Sequence, residues 1–253
     1  MSRVAIVTGG AGGIGRVLVS RLAEDGYRVV VVDLAEERAE ALARDVRGEA
    51  LVADVSRAAD WAEKVLPRLE QLDLACLNAG VLTGTPSLAD LADTAYRRSV
   101  GVNVDGVVFG VRALAPLLER SRGTIVVTSS LAGLVGMPSD PVYSLTKHAV
   151  VGFVRSVAPQ LEQRGVRVTM VNPGLADTPM VAGPVRDAIE EAGFPLLAPE
   201  EVADAIVLAA REGRPGEAFV VQPGREPVSF RFPNVPGPRT PGAEGAVPPP
   251  LPR

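Results

Sequence analysis

The segment VYSLTKHAV (142–150) contains Tyr143 and Lys147, four residues apart. It also holds the only histidine and one of only two lysines; every other basic residue except Lys64 is arginine. On a helix that spacing puts phenol and ammonium on one face. A phenol with pKa about 10 is a poor base at neutral pH, and moving it to about 7 takes roughly 4 kcal/mol in favour of phenolate. One positive charge at about 4–5 Å supplies about 3–4 kcal/mol at an effective dielectric near 20. A compact ammonium can face a phenol and hold a hydroxyl at once, which a planar guanidinium does less well. Such a pair suits proton exchange with an oxygen of a small molecule. Ser130, 13 residues before Tyr143, lies at the end of the apolar run GTIVVTS (123–129). Parallel strands point their last residues toward a ligand crevice.

A second constellation opens the chain. TGGAGGIGR (8–16) follows an apolar run and precedes a helical pattern. Glycines there allow a tight turn and close approach of backbone amides to a ligand, and the helix N-terminus favours a pyrophosphate. The loop parses in two ways, as Gly10, Gly12 and Gly15 or as Gly9, Gly13 and Gly15. Asp33 ends the second apolar run, 18 residues beyond Gly15, where a carboxylate can bind both hydroxyls of an adenosine ribose and repel a 2′-phosphate. D-L-A-E (33–36) also has capping-box spacing, so Asp33 could cap the next helix. With Leu34 after it and Gly12 before Gly13, nothing nearby neutralises a 2′-phosphate. NAD is favoured over NADP.

The elements that must position these residues alternate. Apolar runs at 4–8, 28–33, 49–54, 72–78, 123–129, 167–172 and 217–222 mostly lack polar alternation, as strands buried on both faces do. Helical patterns such as 15–26, 35–46 and 199–213 lie between them. This order predicts an α/β single-domain, doubly wound (Rossmann) parallel sheet of about seven strands with helices on both faces, over residues 1–222. Pro159 should kink or break the helix that begins near Tyr143. Residues 223–253 contain ten prolines and cannot extend a sheet or helix for long; this tail is expected to be partly disordered, from about Pro236 onward, or docked through Phe230 and Phe232. Its closing PPPLPR has the look of a polyproline ligand.

Composition narrows the function. A formal net charge of −4 without basic runs argues against nucleic acid. No stretch approaches 18 consecutive apolar residues, so neither a membrane span nor a signal peptide is expected, and a cytoplasmic location is the default. Cys76 is the sole cysteine and reads as a buried small hydrophobe; no Cys/His cluster offers a metal site.

Taken together, T-G-x-x-x-G-I-G (8–15), D-V (54–55), N-A-G (78–80), Asn103, S-S (129–130), Y-x-x-x-K (143–147) and P-G-x-x-x-T (173–178) resemble the short-chain dehydrogenases/reductases, of the shorter NAD(P)-dependent type, from about Arg3 to Gln222. The resemblance implies that Tyr143 is the acid/base acting on a substrate hydroxyl or carbonyl and that Ser130 hydrogen-bonds the same oxygen. It implies that Lys147 binds the nicotinamide ribose and lowers the phenol pKa, with the positive nicotinamide adding to that effect. Asn103, through its backbone carbonyl, would hold a water beside Lys147 and complete a proton relay. Gly9, Gly12, Gly13, Ile14 and Gly15 would cradle the pyrophosphate, with Asp33 and Leu34 at the adenosine ribose. Asp54 would accept from the adenine amino group and Val55 offer its amide, while Asn78, Ala79 and Gly80 line the adenosine side. Pro173 and Gly174 would turn beside the nicotinamide, with Thr178 reaching its carboxamide. His148 gains no role and reads as a partly exposed helix residue.

Leu131, Val135, Met137, Pro138, Val142, Leu175, Met180, Val181, Phe194 and Leu197 are expected to rim an apolar pocket, with a modest lid between Thr178 and Pro199. The expected partner is therefore a largely hydrophobic secondary alcohol or ketone. Apolar residues beyond one face's need at about 104–119 and 146–163 fall where the family packs subunits together, implying a homodimer or homotetramer. The alternatives are an NADP-linked carbonyl reductase and a non-catalytic NAD-binding sensor.

Overall fold

The computed structural model describes residues 3–234, 236–242 and 246. Strands β1 (Val4–Thr8), β2 (Arg28–Asp33), β3 (Glu49–Val52), β4 (Leu74–Leu77), β5 (Thr124–Thr128), β6 (Arg167–Pro173) and β7 (Ala218–Val221) pair in parallel in the order β3-β2-β1-β4-β5-β6-β7. Chain direction across the sheet reverses between β1 and β4, and the crevice at such a reversal, beyond the strand C-termini, is where ligands bind open α/β sheets.

The apolar runs lack alternation because both faces are covered. Along β1, Val4 and Ile6 join the core on one face while Ala5 and Val7 join the core on the other. The second of these cores packs α1 (Gly13–Glu24), α2 (Glu36–Asp45) and α8 (Pro199–Glu212) through Leu18, Leu22, Ala39, Val202 and Ile206. The first packs α5 (Gly106–Ser121) and α6 (Pro141–Glu162) through Leu114, Leu118, Val150 and Val154. It also takes in Trp61 and Val65, from the π-helical turn Trp61–Val65 that continues α3 (Ala58–Asp60).

Helix α4 (Asp93–Val100) runs through a π turn (Gly101–Asp105) into α5, giving one helical stretch of 29 residues, Asp93–Ser121. By length and composition alone it could cross a bilayer, but its apolar residues Val107, Val111, Leu114 and Leu118 are buried in the core. A Cβ on Gly110 would stand 2.9 Å from Leu77 and 3.0 Å from Trp61.

Proline shapes two places near the end of the fold. Helix α6 passes Pro159 and ends at Glu162; with only one turn remaining, the missing amide forgoes a single bond. After Gln222 the chain adds an eighth strand, β8 (Val228–Ser229), antiparallel to β7 with Phe219 opposite Ser229. Prolines at 227 and 233 bracket this short edge strand. Phe230 donates its amide to Ala218 O at 2.8 Å, stacks edge-to-face on Phe232 at 5.0 Å, and both pack against the α5/α6 core. Arg155 of α6 covers Phe232 at 3.9 Å. The segment PPPLPR (248–253) lies outside the described residues.

Candidate active site

Tyr143 and Lys147 fall on the first turns of α6, whose start is written in the sequence: Asp140 caps it and Pro141 occupies the first helical position. Both side chains are buried. Lys147 Nζ lies 5.5 Å from the centre of the Tyr143 ring and donates to Thr128 O at 3.0 Å, at the end of β5. The Ser130 side chain, just beyond β5, lies close enough to the Tyr143 phenol to lower its pKa; its Oγ accepts from Ala132 N at 3.1 Å and approaches Pro173 O at 3.4 Å. Serine, tyrosine and lysine therefore meet at the C-terminal ends of the central strands, as the spacing implied.

Burial dominates the electrostatics of the pair. Burial pushes the Tyr143 phenol up to about 12, against the lowering effect of Ser130, and the Asp140 charge adds to the rise. Burial pushes the Lys147 ammonium down to about 8. Desolvation disfavours the charged form of each group, so the protein by itself holds the phenol neutral rather than acidified.

The glycine turn follows β1. A Cβ on Gly15 would stand 2.0 Å from Gly9 O, and Gly9 itself has φ +63° with Ala79 Cα at 2.9 Å from its would-be Cβ. A Cβ on Gly13 would meet Thr178 at 2.6 Å, so Thr178 sits directly over the turn. These contacts favour the Gly9, Gly13, Gly15 parse. Gly12 is the N-cap of α1 and Ile14 lies in its first turn; no side chain caps this helix end, which leaves its first amides facing the crevice. A glycine cradle below an uncapped helix, with a carboxylate at the next strand end, fits a dinucleotide pyrophosphate and ribose.

Asp33 Oδ2 accepts from Ala11 N at 2.9 Å, tying the end of β2 to the glycine turn, and Oδ1 accepts from Ala35 N at 2.9 Å. It does not cap α2, whose N-cap is Ala35 without a side-chain bond. Leu34 is exposed beside it. Asp54 Oδ1 accepts from Ser56 N at 2.9 Å and Ser56 Oγ at 2.7 Å. Val55 is buried and offers its carbonyl to Trp61 Nε1 at 2.9 Å.

Asn78 knits three strand ends together. Its amide nitrogen donates to Thr8 Oγ1 at 3.0 Å, its Nδ2 to Thr8 O at 3.2 Å, and its Oδ1 accepts from Thr128 Oγ1 at 3.2 Å. Ala79 rests against Gly9, and a Cβ on Gly80 would stand 3.4 Å from Lys147 Nζ. Asn103 is fully buried in the π turn. Its Oδ1 accepts from Val81 N at 2.8 Å while Nδ2 donates to Val81 O at 2.9 Å and Thr146 Oγ1 at 3.0 Å. Pro173 ends β6; Gly174 donates to Val221 O at 2.9 Å and lies under Leu131 and Gln222.

On the substrate side the apolar rim divides. Val135, Met180 and Phe194 are exposed. Leu197 is fully buried in the α1/α8 core, and Val142 and Val181 are also buried. Leu197 is drawn inward by its amide bond to Leu175 O at 2.8 Å, and so it is a floor residue rather than a rim residue. Helix α7 (Pro184–Glu191) carries Arg186, paired with Asp177 and Glu190. His148 is exposed on α6, with Nδ1 2.9 Å from Ser144 O.

Two organising residues, Asp60 and Asp140, were not singled out in the sequence. Asp60 Oδ2 accepts from Asp54 N at 2.9 Å and from Lys64 Nζ at 2.8 Å, which gives the second lysine of the chain its partner and fixes the D-V turn. Asp140 binds three backbone amides. The Asp60–Lys64 spacing of four was the available clue for the first, and the D-P dipeptide for the second. Among the described residues no cluster of His, Cys, Asp or Glu could hold a metal.

The chain belongs to the short chain dehydrogenase family, whose sequence profile matches residues 3–188. It is 34% identical over 234 residues to a 3-alpha-(or 20-beta)-hydroxysteroid dehydrogenase of Mycobacterium bovis, covering 88% of this chain and 89% of that one. To a cis-4-hydroxycyclohexanecarboxylate dehydrogenase of Sinomonas cyclohexanicum it is 38% identical over 233 residues, covering 87% and 92%. Among solved structures, the 3-ketoacyl-(acyl-carrier-protein) reductase of Brucella melitensis in complex with NADH superposes with a TM-score of 0.82 at 28% identity, covering 88% of this chain and 98% of that one. The protein is an oxidoreductase of this family, an alcohol dehydrogenase or ketoreductase using NAD(P).

Proposed function

We propose that the protein is a cytoplasmic, NAD-dependent dehydrogenase that interconverts a secondary alcohol and a ketone on a largely hydrophobic small molecule. The observation that carries this reading is the meeting of Ser130, Tyr143 and Lys147 beside the glycine turn. When bound, the nicotinamide supplies or accepts the hydride. Ser130 Oγ donates to the substrate oxygen. Tyr143 gives its proton to that oxygen in ketone reduction and takes one from the hydroxyl in alcohol oxidation. Lys147 holds the ribose and, with the positive nicotinamide, opposes the burial that keeps the phenol protonated. Asn103 contributes its backbone carbonyl to a water-borne proton path while its side chain pins Val81.

Gly9, Gly12, Gly13, Ile14 and Gly15 take the pyrophosphate, with Asp33 and Leu34 at the ribose and Asp54 and Val55 at the adenine. Asn78, Ala79 and Gly80 form one wall, and Pro173, Gly174 and Thr178 the nicotinamide end. The anchoring of Asp33 by Ala11 N supports NAD over NADP, because a fixed carboxylate there would face a 2′-phosphate. Exposed Val135, Met180 and Phe194 support an apolar substrate. Assembly as a homodimer or homotetramer through α5 and α6 is part of the same reading, and light scattering that returned a monomer would remove it.

The test is NAD reduction across a panel of hydrophobic secondary alcohols, with Tyr143→Phe as the blank. Turnover by the wild type alone supports the reading, and equal rates from both proteins reject it. Competitive titration of both cofactors checks the preference: NAD binds more tightly than NADP, and Asp33→Ala narrows or reverses the gap. Tighter NADP binding by the unaltered protein would overturn the cofactor assignment.

A further inference from the structure

One buried acid beside Tyr143 is given no catalytic role above. Asp140 is 2% exposed. Its Oδ1 accepts from Tyr143 N at 2.9 Å, the bond of an ordinary helix N-cap. Its Oδ2 does something a cap does not require: it accepts from Thr83 N at 2.8 Å and Gly84 N at 3.2 Å, more than fifty residues back along the chain. Three amide donors on one carboxylate compensate its burial.

The segment so held is the one that leaves β4. Gly80 at its start lies against Lys147 Nζ. Val81 is bonded twice to Asn103, and Asn103 is bonded to Thr146 of α6. This loop is thus fastened to α6 at two levels, at Thr146 through Asn103 and at the helix start through Asp140. The two fastenings bracket Tyr143 in sequence, and Lys147 follows the second.

We propose that Asp140 is a positioning residue: its carboxylate locks the Gly80–Gly84 loop to the N-terminus of α6 and so fixes Tyr143 and Lys147 against the wall of the cofactor crevice. The inference rests on the function proposed above. A catalytic group displaced by about 1 Å loses rate by about a hundredfold, so the lock acts on turnover more than on cofactor affinity.

Asp140→Asn and Asp140→Ser test it, because both side chains still cap a helix but neither has a second oxygen for the loop. Expected for both are a folded protein, an NADH Kd within about twofold of wild type, and a kcat at least about tenfold lower. Hydrogen exchange at the Thr83 and Gly84 amides quickens while that of Tyr143 holds. Unchanged kcat in both variants would mean a helix cap and nothing more. An NADH Kd that worsens in step with kcat would mean general loosening of the crevice, and either result overturns the proposal. Should the variants fail to fold, Thr83→Pro removes a donor from the loop side and is read in the same way. If the wild type turns over nothing in the alcohol panel, the functional reading fails by itself. Exchange at Thr83 and Gly84 then decides the lock, with unaltered rates rejecting it.

Discussion

The two sides of the crevice are built differently. On the cofactor side, buried polar side chains bind backbone across long stretches of sequence: Thr8 to Asn78 and Ala79, Asn103 to Val81. Gly9, Gly13 and Gly15 there have no room for a Cβ. On the substrate side, the segment between Thr178 and Pro199 exposes Met180, Val185 and Phe194. Its ion pairs, Arg186 with Asp177 and Glu190, are solvent-exposed, and Gly183 and Gly193 turn with positive φ and no neighbour within 4 Å of a would-be Cβ. Buried hydrogen bonds are expensive to leave unmade, whereas exposed ion pairs contribute little. The cofactor wall is therefore fixed by its own packing, while the substrate wall can change its residues without disturbing the fold.

The sharpest way to break this contrast is at the chemistry. Tyr143→Phe removes the proton-transferring hydroxyl and lowers kcat by about 10²–10⁴-fold with NADH affinity retained, read by steady-state rates beside fluorescence titration. Next, Gly15→Ala forces a Cβ onto Gly9 O. Overpacking of about 1–3 kcal/mol weakens NADH binding about ten- to a hundredfold or lowers the melting temperature. Gly193→Ala in the flap leaves NADH binding unaltered, and equal effects from the two alanines would erase the distinction between the walls.

A third test concerns the buried ammonium. Lys147 has a folded pKa of about 8 against an ordinary value of 10.5. Below about 8 both folded and unfolded chains carry the proton, and the burial penalty is complete. Between about 8 and 10.5 the unfolded chain binds more protons, so stability rises with pH, and above 10.5 the penalty is gone. Lys147→Met, inactive in turnover, is expected to be more stable than wild type by about 1–3 kcal/mol at pH 7. That margin closes by about pH 10.5 in denaturant titrations; a constant margin would show that burial is not its source. The smallest effect belongs to Arg186→Ala, whose exposed ion pairs contribute little to stability; the melting temperature stays essentially unchanged, with any change in turnover confined to the KM of the alcohol.

Much of the site was readable because its signals are local. Tyr143 and Lys147 are one helical turn apart, the glycine turn is a few residues long, and Asp33 ends a strand that its own valines announce. The strand β8 was not readable, since two residues between prolines carry no periodicity. Pro159 does not break α6, because only one turn of helix follows it. Asp140 was not singled out, because its second partners, Thr83 and Gly84, are set by the way distant segments come together. Leu197 looked like any other apolar rim residue until the bond to Leu175 turned it inward.

The sequence by itself determined the alternation of strands and helices, the nucleotide-binding turn and the Ser–Tyr–Lys set. Each of these depends on dihedral preference and spacing over a few residues. Only the tertiary structure decided that burial pushes the phenol of the chain alone up to about 12, and that Asp140 joins the β4 loop to the catalytic helix. Desolvation and hydrogen bonds between distant segments exist only once the chain has closed around them.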